Sequence, residues 1–259
     1  MSHWVIIIII IVVIGAALFY WQTYQQLTPA AEERVAEKKA MTNVQKVSLT
    51  ASDGVVLAAD WYPAVAPQKY FVLVHMMPAT KESWQELAKR AQAKGYGVLA
   101  IDLRGHGQSQ AGPNGYRNFS DSQHQESKLD LQAAVDYLKK QGATAEQVSI
   151  IGASIGANLA LQYIVEHPEF KAAGLLSPGL NYRGIETLPL AARLQQGQRV
   201  WLSAADDDNN GLNSQWVKEI YEAIDGEKVL KVGVNFKKGG HGTDIFKASP
   251  ELMDKLIGF

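Results

Sequence analysis

Cysteine is absent from this chain. That removes disulfide frameworks, thiolate zinc sites and a cysteine nucleophile together, and leaves the compartment open. An excess of one charge is also missing: 25 Lys and Arg face 26 Asp and Glu, a formal net charge of −1. Nothing in that balance forms a footprint for nucleic acid. No internal repeat is visible, and low complexity is confined to one N-terminal apolar run. The 259 residues suit one α/β domain of ordinary size with an appendage. A domain of roughly 220 residues buries about 70% of its unfolded surface, so it needs no metal or disulfide staple.

The apolar run is Trp4–Trp21, with nothing polar between Val5 and Phe19 and consecutive isoleucines at Ile6–Ile11. A helix of about 18 residues at ~1.5 Å each reaches about 27 Å, close to a ~30 Å hydrocarbon core. Trp4 at one end, with Tyr20 and Trp21 at the other, would sit as interfacial anchors. Residues 1–22 are therefore expected to be a single-pass transmembrane anchor. A cleaved signal peptide is the alternative, with Gly15-Ala16-Ala17 as its small-residue site and secretion as the result. Against it, no Lys or Arg precedes the run. Arg34, Lys38 and Lys39 follow it, interspersed with Glu32, Glu33 and Glu37, so the side of the membrane is not fixed. Residues 23–41 read as a polar, solvated spacer, and 42–259 as the folded domain.

From residue 42 the pattern alternates strands with helices. Val44–Thr50 and Val55–Tyr62 alternate in polarity around Ser52-Asp53-Gly54, as a hairpin does. Tyr70–His75 and Gly97–Asp102 are continuous apolar runs, which is how strands buried on both faces read. Helices are expected at Glu82–Lys94, Asp121–Gln141, Ser154–His167, Gln215–Ile224 and about Glu251–Ile257. Further strands are expected at Val148–Ile151, Ala172–Leu176, Arg199–Ala204 and Val229–Val234. This alternation predicts an α/β fold with a mainly parallel central sheet and helices on both faces.

The strand at Val148 ends in Gly152-Ala153-Ser154-Ile155-Gly156, and a helical pattern follows at once. In that strand–turn–helix context G-x-S-x-G places a serine hydroxyl at a tight corner above the sheet. An exposed serine needs a base, and the base needs an orienting carboxylate. Both lie downstream. Strand Arg199–Ala204 leads into Asp206-Asp207-Asp208, at the sheet edge where open α/β sheets place ligands. The last strand is followed by His241 with glycines on both sides. The chain order is Ser, Asp, His.

These pieces, together with V-L-V-H-M-M at Val72–Met77 and A-I-D-L-R-G-H-G-Q-S at Ala100–Ser109, resemble the α/β-hydrolase fold proteins of the serine esterase and lipase type. The resemblance runs from about Val44 to Phe259. It implies Ser154 as nucleophile, His241 as general base and then acid, and one aspartate of 206–208 as orienter. Counting along the strand favours Asp207, then Asp208, then Asp206. It also implies an oxyanion hole from the backbone N–H groups of Ile155 and Met77. His75-Met76 stands where the family more often has His-Gly, so the sequence departs from the pattern at this loop.

Other residues weigh less. His75 reads as a structural part of the oxyanion loop, and His106 as a packing residue near the site. His124 and His167 read as surface residues on helices. Ser177, ending a strand before Pro178-Gly179, is a rival nucleophile without the elbow glycines. Trp84, Trp201 and Trp216 read as packing residues. Only about 22 residues, Ser177–Gln198, are left for a lid, enough for one short helix near Leu188–Leu194. The expected protein is a membrane-anchored serine hydrolase of carboxylic esters or thioesters, acting on a small-molecule or lipid-like ester. It requires no cofactor and no metal, and it binds no nucleic acid. Peptide cleavage, acyl transfer and a non-catalytic binding module of the same fold are the alternatives. The sequence says nothing of the oligomeric state.

Overall fold

A computed structural model describes residues 43–110 and 115–259, together with Leu18, Trp21 and Tyr24. The predicted anchor and spacer lie outside the described residues except at those three positions. Among the described residues, no helix is long and apolar enough to cross a membrane. Val44–Phe259 forms a compact unit of its own.

An eight-stranded sheet is its backbone. The strands are β1 (Gln45–Thr50), β2 (Val56–Tyr62), β3 (Tyr70–Val74), β4 (Gly97–Ile101), β5 (Val148–Ala153), β6 (Ala172–Leu176), β9 (Arg199–Ala205) and β10 (Leu230–Phe236). Their order across the sheet is β1-β2-β4-β3-β5-β6-β9-β10. β2 runs antiparallel to both its neighbours, and β4 through β10 run parallel. The mainly parallel sheet is as expected, and the expected hairpin is β1–β2.

The apolar runs explain why these strands sit inside. Side chains alternate faces along a strand, so a run with no polar member must be covered twice. In β3, Val72 and Val74 enter one core while Phe71 and Leu73 enter the other. The first core is capped by helices Lys128–Lys140, Ile155–Glu166 and Leu212–Ala223. The second is capped by Gln85–Ala93 and Glu251–Gly258. Trp84 and Trp201 pack in the second core, against Phe246 and Phe259.

Three expectations need correction. The helix read over Asp121–Gln141 is two helices, Asp121–Gln125 and Lys128–Lys140. The first carries its own capping box, in which Ser120 accepts from the Gln123 N–H and the Gln123 side chain accepts from the Ser120 N–H. His124, expected at the surface, is buried edge-on to Phe119 as a result of that break. The segment expected to hold one short helix holds a helix, Thr187–Ala191, preceded by a small hairpin of β7 (Asn181–Tyr182) and β8 (Ile185–Glu186).

After β3 the chain moves to β4 on one side, then crosses back to β5 on the other. The reversal makes a crevice at the C-terminal ends of β3 and β5, where open α/β sheets bind ligands.

Candidate active site

Ser154 stands at that crevice. It adopts φ 55°, ψ −122° between β5 and helix Ile155–Glu166. A non-glycine residue is strained there, and such strain collects at functional sites. Two glycines make the corner possible. A Cβ on Gly152 would stand 2.0 Å from the Gly156 carbonyl oxygen, and one on Gly156 would stand 2.4 Å from that of Val74. The Ser154 N–H donates to the Leu176 carbonyl at 2.8 Å, which ties the corner to the end of β6. Neither the Ile155 N–H nor the Met77 N–H has an acceptor among the described residues.

The three aspartates after β9 separate into three roles. Asp206 accepts from the Ser214 hydroxyl at 2.9 Å. Asp207 Oδ1 accepts from the Gly239 and Gly240 N–H groups at 2.9 and 3.0 Å, and the Gly240 bond leads in holding its carboxyl below the usual range. Asp208 is buried, and its two oxygens lie 2.8 and 3.0 Å from His241 Nδ1. The carboxylate facing the imidazole is therefore that of Asp208, not of Asp207 as counting along the strand suggested. The strand runs one residue further than expected, to Ala205, and a tight turn begins at Asp208. Asn209 and Asn210 both take positive φ in that turn, which leaves Asp207 outside and Asp208 inside.

His241 follows β10 in a loop whose glycines allow close approach to its neighbours. Gly242 has φ +57°, and a Cβ there would stand 2.5 Å from Met76 Sδ and 3.1 Å from Ala153 Cβ. The residue after the imidazole thus touches both the oxyanion loop and the residue before Ser154. Its N–H donates to Ser177 Oγ at 2.9 Å. Among the described residues, Ser154 and His241 make no hydrogen bond to each other; catalytic contacts often tighten only when substrate is bound.

The loop after β3 is held at both ends. His75 is fully buried; its Nε2 accepts from the Leu103 N–H at 3.0 Å, which leaves Nδ1 to donate to the Met76 carbonyl at 2.9 Å. That network assigns the neutral Nδ1–H tautomer, and burial pushes the imidazole below its ordinary pKa. At the far end the Lys81 ammonium donates to Asp102 Oδ2 at 2.6 Å, and the Lys81 N–H donates to Oδ1 at 2.8 Å. Burial alone would lower the pKa of Lys81, but its bonds to Asp102 and Glu82 leave it raised. His106 stacks on Tyr116 at 3.8 Å, and burial takes it down to about 4.

Tyr182, on β7, overhangs the serine. Its oxygen accepts from Asn213 Nδ2 at 3.1 Å, and its ring packs on Gly179 and edge-on to Trp216. Burial raises its pKa first and the Asp208 carboxylate adds to this, while contacts with Asn213 and the Ser154 hydroxyl act the other way. The hairpin is bolted to the elbow helix by Asn158. That side chain donates to the carbonyls of Gly179 and Ile185 and accepts from the Gly179 N–H. Sequence reasoning gave no role to Asn158 or Asn213, and Ser177 entered only as a rival nucleophile. The one available signal for Asn158 was its place in the helix turn right after the elbow. Among the described residues no His, Cys, Asp and Glu group could hold a metal ion.

A strained serine corner, a carboxylate–imidazole pair and two unengaged amides at one sheet edge define a hydrolase-type α/β protein. The family model of Hydrolase_4 (Serine aminopeptidase, S33) matches residues 65–228, more than half the chain, and the chain belongs to that family. A putative 2-succinyl-6-hydroxy-2,4-cyclohexadiene-1-carboxylate synthase of Bacillus subtilis is 32% identical over 142 residues, 53% of this chain and 47% of that protein. A bifunctional esterase/perhydrolase of Acinetobacter calcoaceticus is 31% identical over 121 residues, 46% of this chain and 39% of that protein. The chain thus spans about half the length of the curated relatives it matches or less. Among solved structures, the Pyrococcus furiosus esterase Pf2001 superposes with TM-score 0.69 at 20% identity, over 85% of this chain and 90% of that one. An esterase from Exiguobacterium antarcticum gives 0.65 at 14%, over 83% and 98%. At those identities the likeness is one of fold.

Proposed function

We propose that this protein is a serine hydrolase that cleaves carboxylic ester or thioester bonds through an acyl-enzyme on Ser154. The observation that carries the reading is the Asp208–His241 pair standing beside the strained Ser154 corner. In this reading His241 Nε2 takes the Ser154 proton as Oγ attacks the carbonyl carbon. Asp208 holds Nδ1–H and stabilises the imidazolium. The Ile155 and Met77 N–H groups receive the oxyanion, and helix Ile155–Glu166 adds its positive end. His241 then gives the proton to the leaving alcohol or thiol. Water then attacks the acyl carbon as His241 Nε2 takes its proton, and the ring gives that proton to Ser154 Oγ as the acyl bond breaks and the acid leaves.

The short Ser177–Gln198 segment supports an accessible site for modest-sized acyl and alcohol groups, with Tyr182 and the Met76-Met77 pair at its rim. The apolar stretch at 4–21 supports anchoring in a membrane, which would bring lipid-like esters at the surface within reach. Resistance of the full chain to extraction from membranes by alkaline carbonate tests the anchor. For the chemistry, protein from residue 42 onward is assayed on p-nitrophenyl esters of increasing chain length, beside peptide p-nitroanilides. Ester turnover that Ser154→Ala abolishes supports the reading. Turnover confined to peptides, or equal turnover in Ser154→Ala, contradicts it.

A further inference from the structure

The loop carrying His241 is held at three points by side chains from two other strand ends. Asp208 holds the ring. Asp207 Oδ1 holds the approach, taking both the Gly239 and Gly240 N–H groups. Ser177 Oγ holds the exit, taking the Gly242 N–H. Asp207 touches no side chain that does chemistry, and Ser177 is 1% exposed and cannot meet substrate. Both are nonetheless built for the loop. Ser177 sits at φ +48°, a backbone state rarely taken by residues other than glycine and asparagine. Its own N–H is spent on the Ser203 carbonyl at 2.7 Å, and its carbonyl receives Asn213 Nδ2. Backbone bonds on both sides thus fix Ser177, and the side chain turns towards Gly242.

The need for such a hold follows from the loop's composition. Gly239, Gly240 and Gly242 surround the imidazole, and glycine has the widest backbone freedom of any residue. Gly240 and Gly242 both take positive φ. Glycine is required at 242, because a side chain would strike Met76 and Ala153. A glycine-rich loop that must place a ring to within about 0.5 Å needs external restraint.

We propose that Asp207 and Ser177 form a two-sided clasp that positions the His241 imidazole, so that each acts on turnover through the loop rather than through substrate. The proposal rests on the serine-hydrolase reading for its kinetic arm only. Neither residue touches the acyl or alcohol group, so loss of either should lower kcat and leave KM unchanged.

The test uses Asp207→Ala, Ser177→Ala and the double variant, with Asp207→Asn as the conservative control. The amide oxygen of asparagine still accepts the two N–H groups, so that variant should keep most activity. We expect roughly a tenfold loss of kcat in each alanine variant, the size of a misplacement well under about 1 Å, with thermal melting recorded beside it. The second readout is the downfield proton resonance of His241 Nδ1–H, which reports the ring's hold on Asp208 with no substrate present. It should be sharp in the wild type and in Asp207→Asn, and broadened by exchange with water in the alanine variants. Asp207 is exposed, so its alanine variant should fold even where that of Ser177 does not. An unchanged resonance with unchanged kcat in Asp207→Ala overturns the clasp. A wild type without ester turnover but with a resonance that broadens in the variants overturns the serine-hydrolase reading and leaves the clasp standing.

Discussion

Two aspartates stand beside a basic side chain at the same edge of the sheet, and they are finished differently. Asp102, after β4, is completely buried and receives three donors: the Lys81 N–H, the Lys81 ammonium and the Gln108 N–H. Lys81 is equally buried and spreads its remaining protons over Glu82 and Gln108. Every strong valence in that node is used. Asp208, after β9, takes only the His241 ring, and that ring is a third exposed. Its far nitrogen, Nε2, bonds to nothing among the described residues. A node with all its partners holds a loop in place. A node with one nitrogen left over can move a proton.

The largest effect should come from breaking the open node. Asp208→Asn leaves the shape of the pocket but removes the charge that holds Nδ1–H, and kcat on an ester should fall by about 10³ to 10⁴. Melting should shift by only a few degrees. Breaking the closed node should do the opposite. Lys81→Met leaves the Asp102 carboxylate buried without its cation, which costs about 3–5 kcal/mol. Urea unfolding should show that loss while Ser154 still labels in the fraction that remains folded.

A smaller effect separates the buried histidines from the working one. His75 and His106 both sit below their ordinary pKa because burial disfavours the charged ring. An unfolded imidazole, with pKa about 6.5, takes up a proton before the folded ones do. The stability that neutral His106 contributes is complete above about pH 6.5 and is lost as pH falls towards about 4, and His75 acts in the same direction. The urea midpoint should therefore be lower at pH 5 than at pH 7, and His106→Gln should flatten that difference. The smallest effect is expected at the overhang. Tyr182→Phe removes the hydroxyl near Ser154 while Asn213 Nδ2 keeps the Ser177 and Pro178 carbonyls, and KM for short esters should change by a few-fold with kcat nearly intact. A kcat drop as large as that of Asp208→Asn would move Tyr182 into the catalytic group.

Much of this was legible in the residue order. Continuous apolar runs announced strands covered on both faces, because alternation leaves no other way to bury them. The elbow was legible because its two glycines flank the serine within five residues, between an apolar run and a helical pattern, although the contact that requires Gly156 comes from the distant Val74 carbonyl. The choice among Asp206, Asp207 and Asp208 was not. It turns on where β9 ends and on positive φ at Asn209 and Asn210, and a one-residue shift there exchanges inside for outside. The bond from the His241 loop to Ser177 was hidden for a similar reason. Its partner, the Gly242 N–H, lies 65 residues away in sequence, and no local pattern joins them. The β7–β8 hairpin was hidden by its length, since two-residue strands carry no period to read.

In the serine-hydrolase reading, Asp208 rather than Asp207 serves His241 in activating Ser154. The direct measurement is the rate at which a fluorophosphonate labels Ser154, followed by intact mass and peptide mapping, in the wild type, Asp207→Asn and Asp208→Asn. Labelling at Ser154 should proceed at nearly wild-type rate in Asp207→Asn, and at least a hundredfold slower in Asp208→Asn. The reverse order, or labelling at Ser177 instead of Ser154, would contradict that assignment.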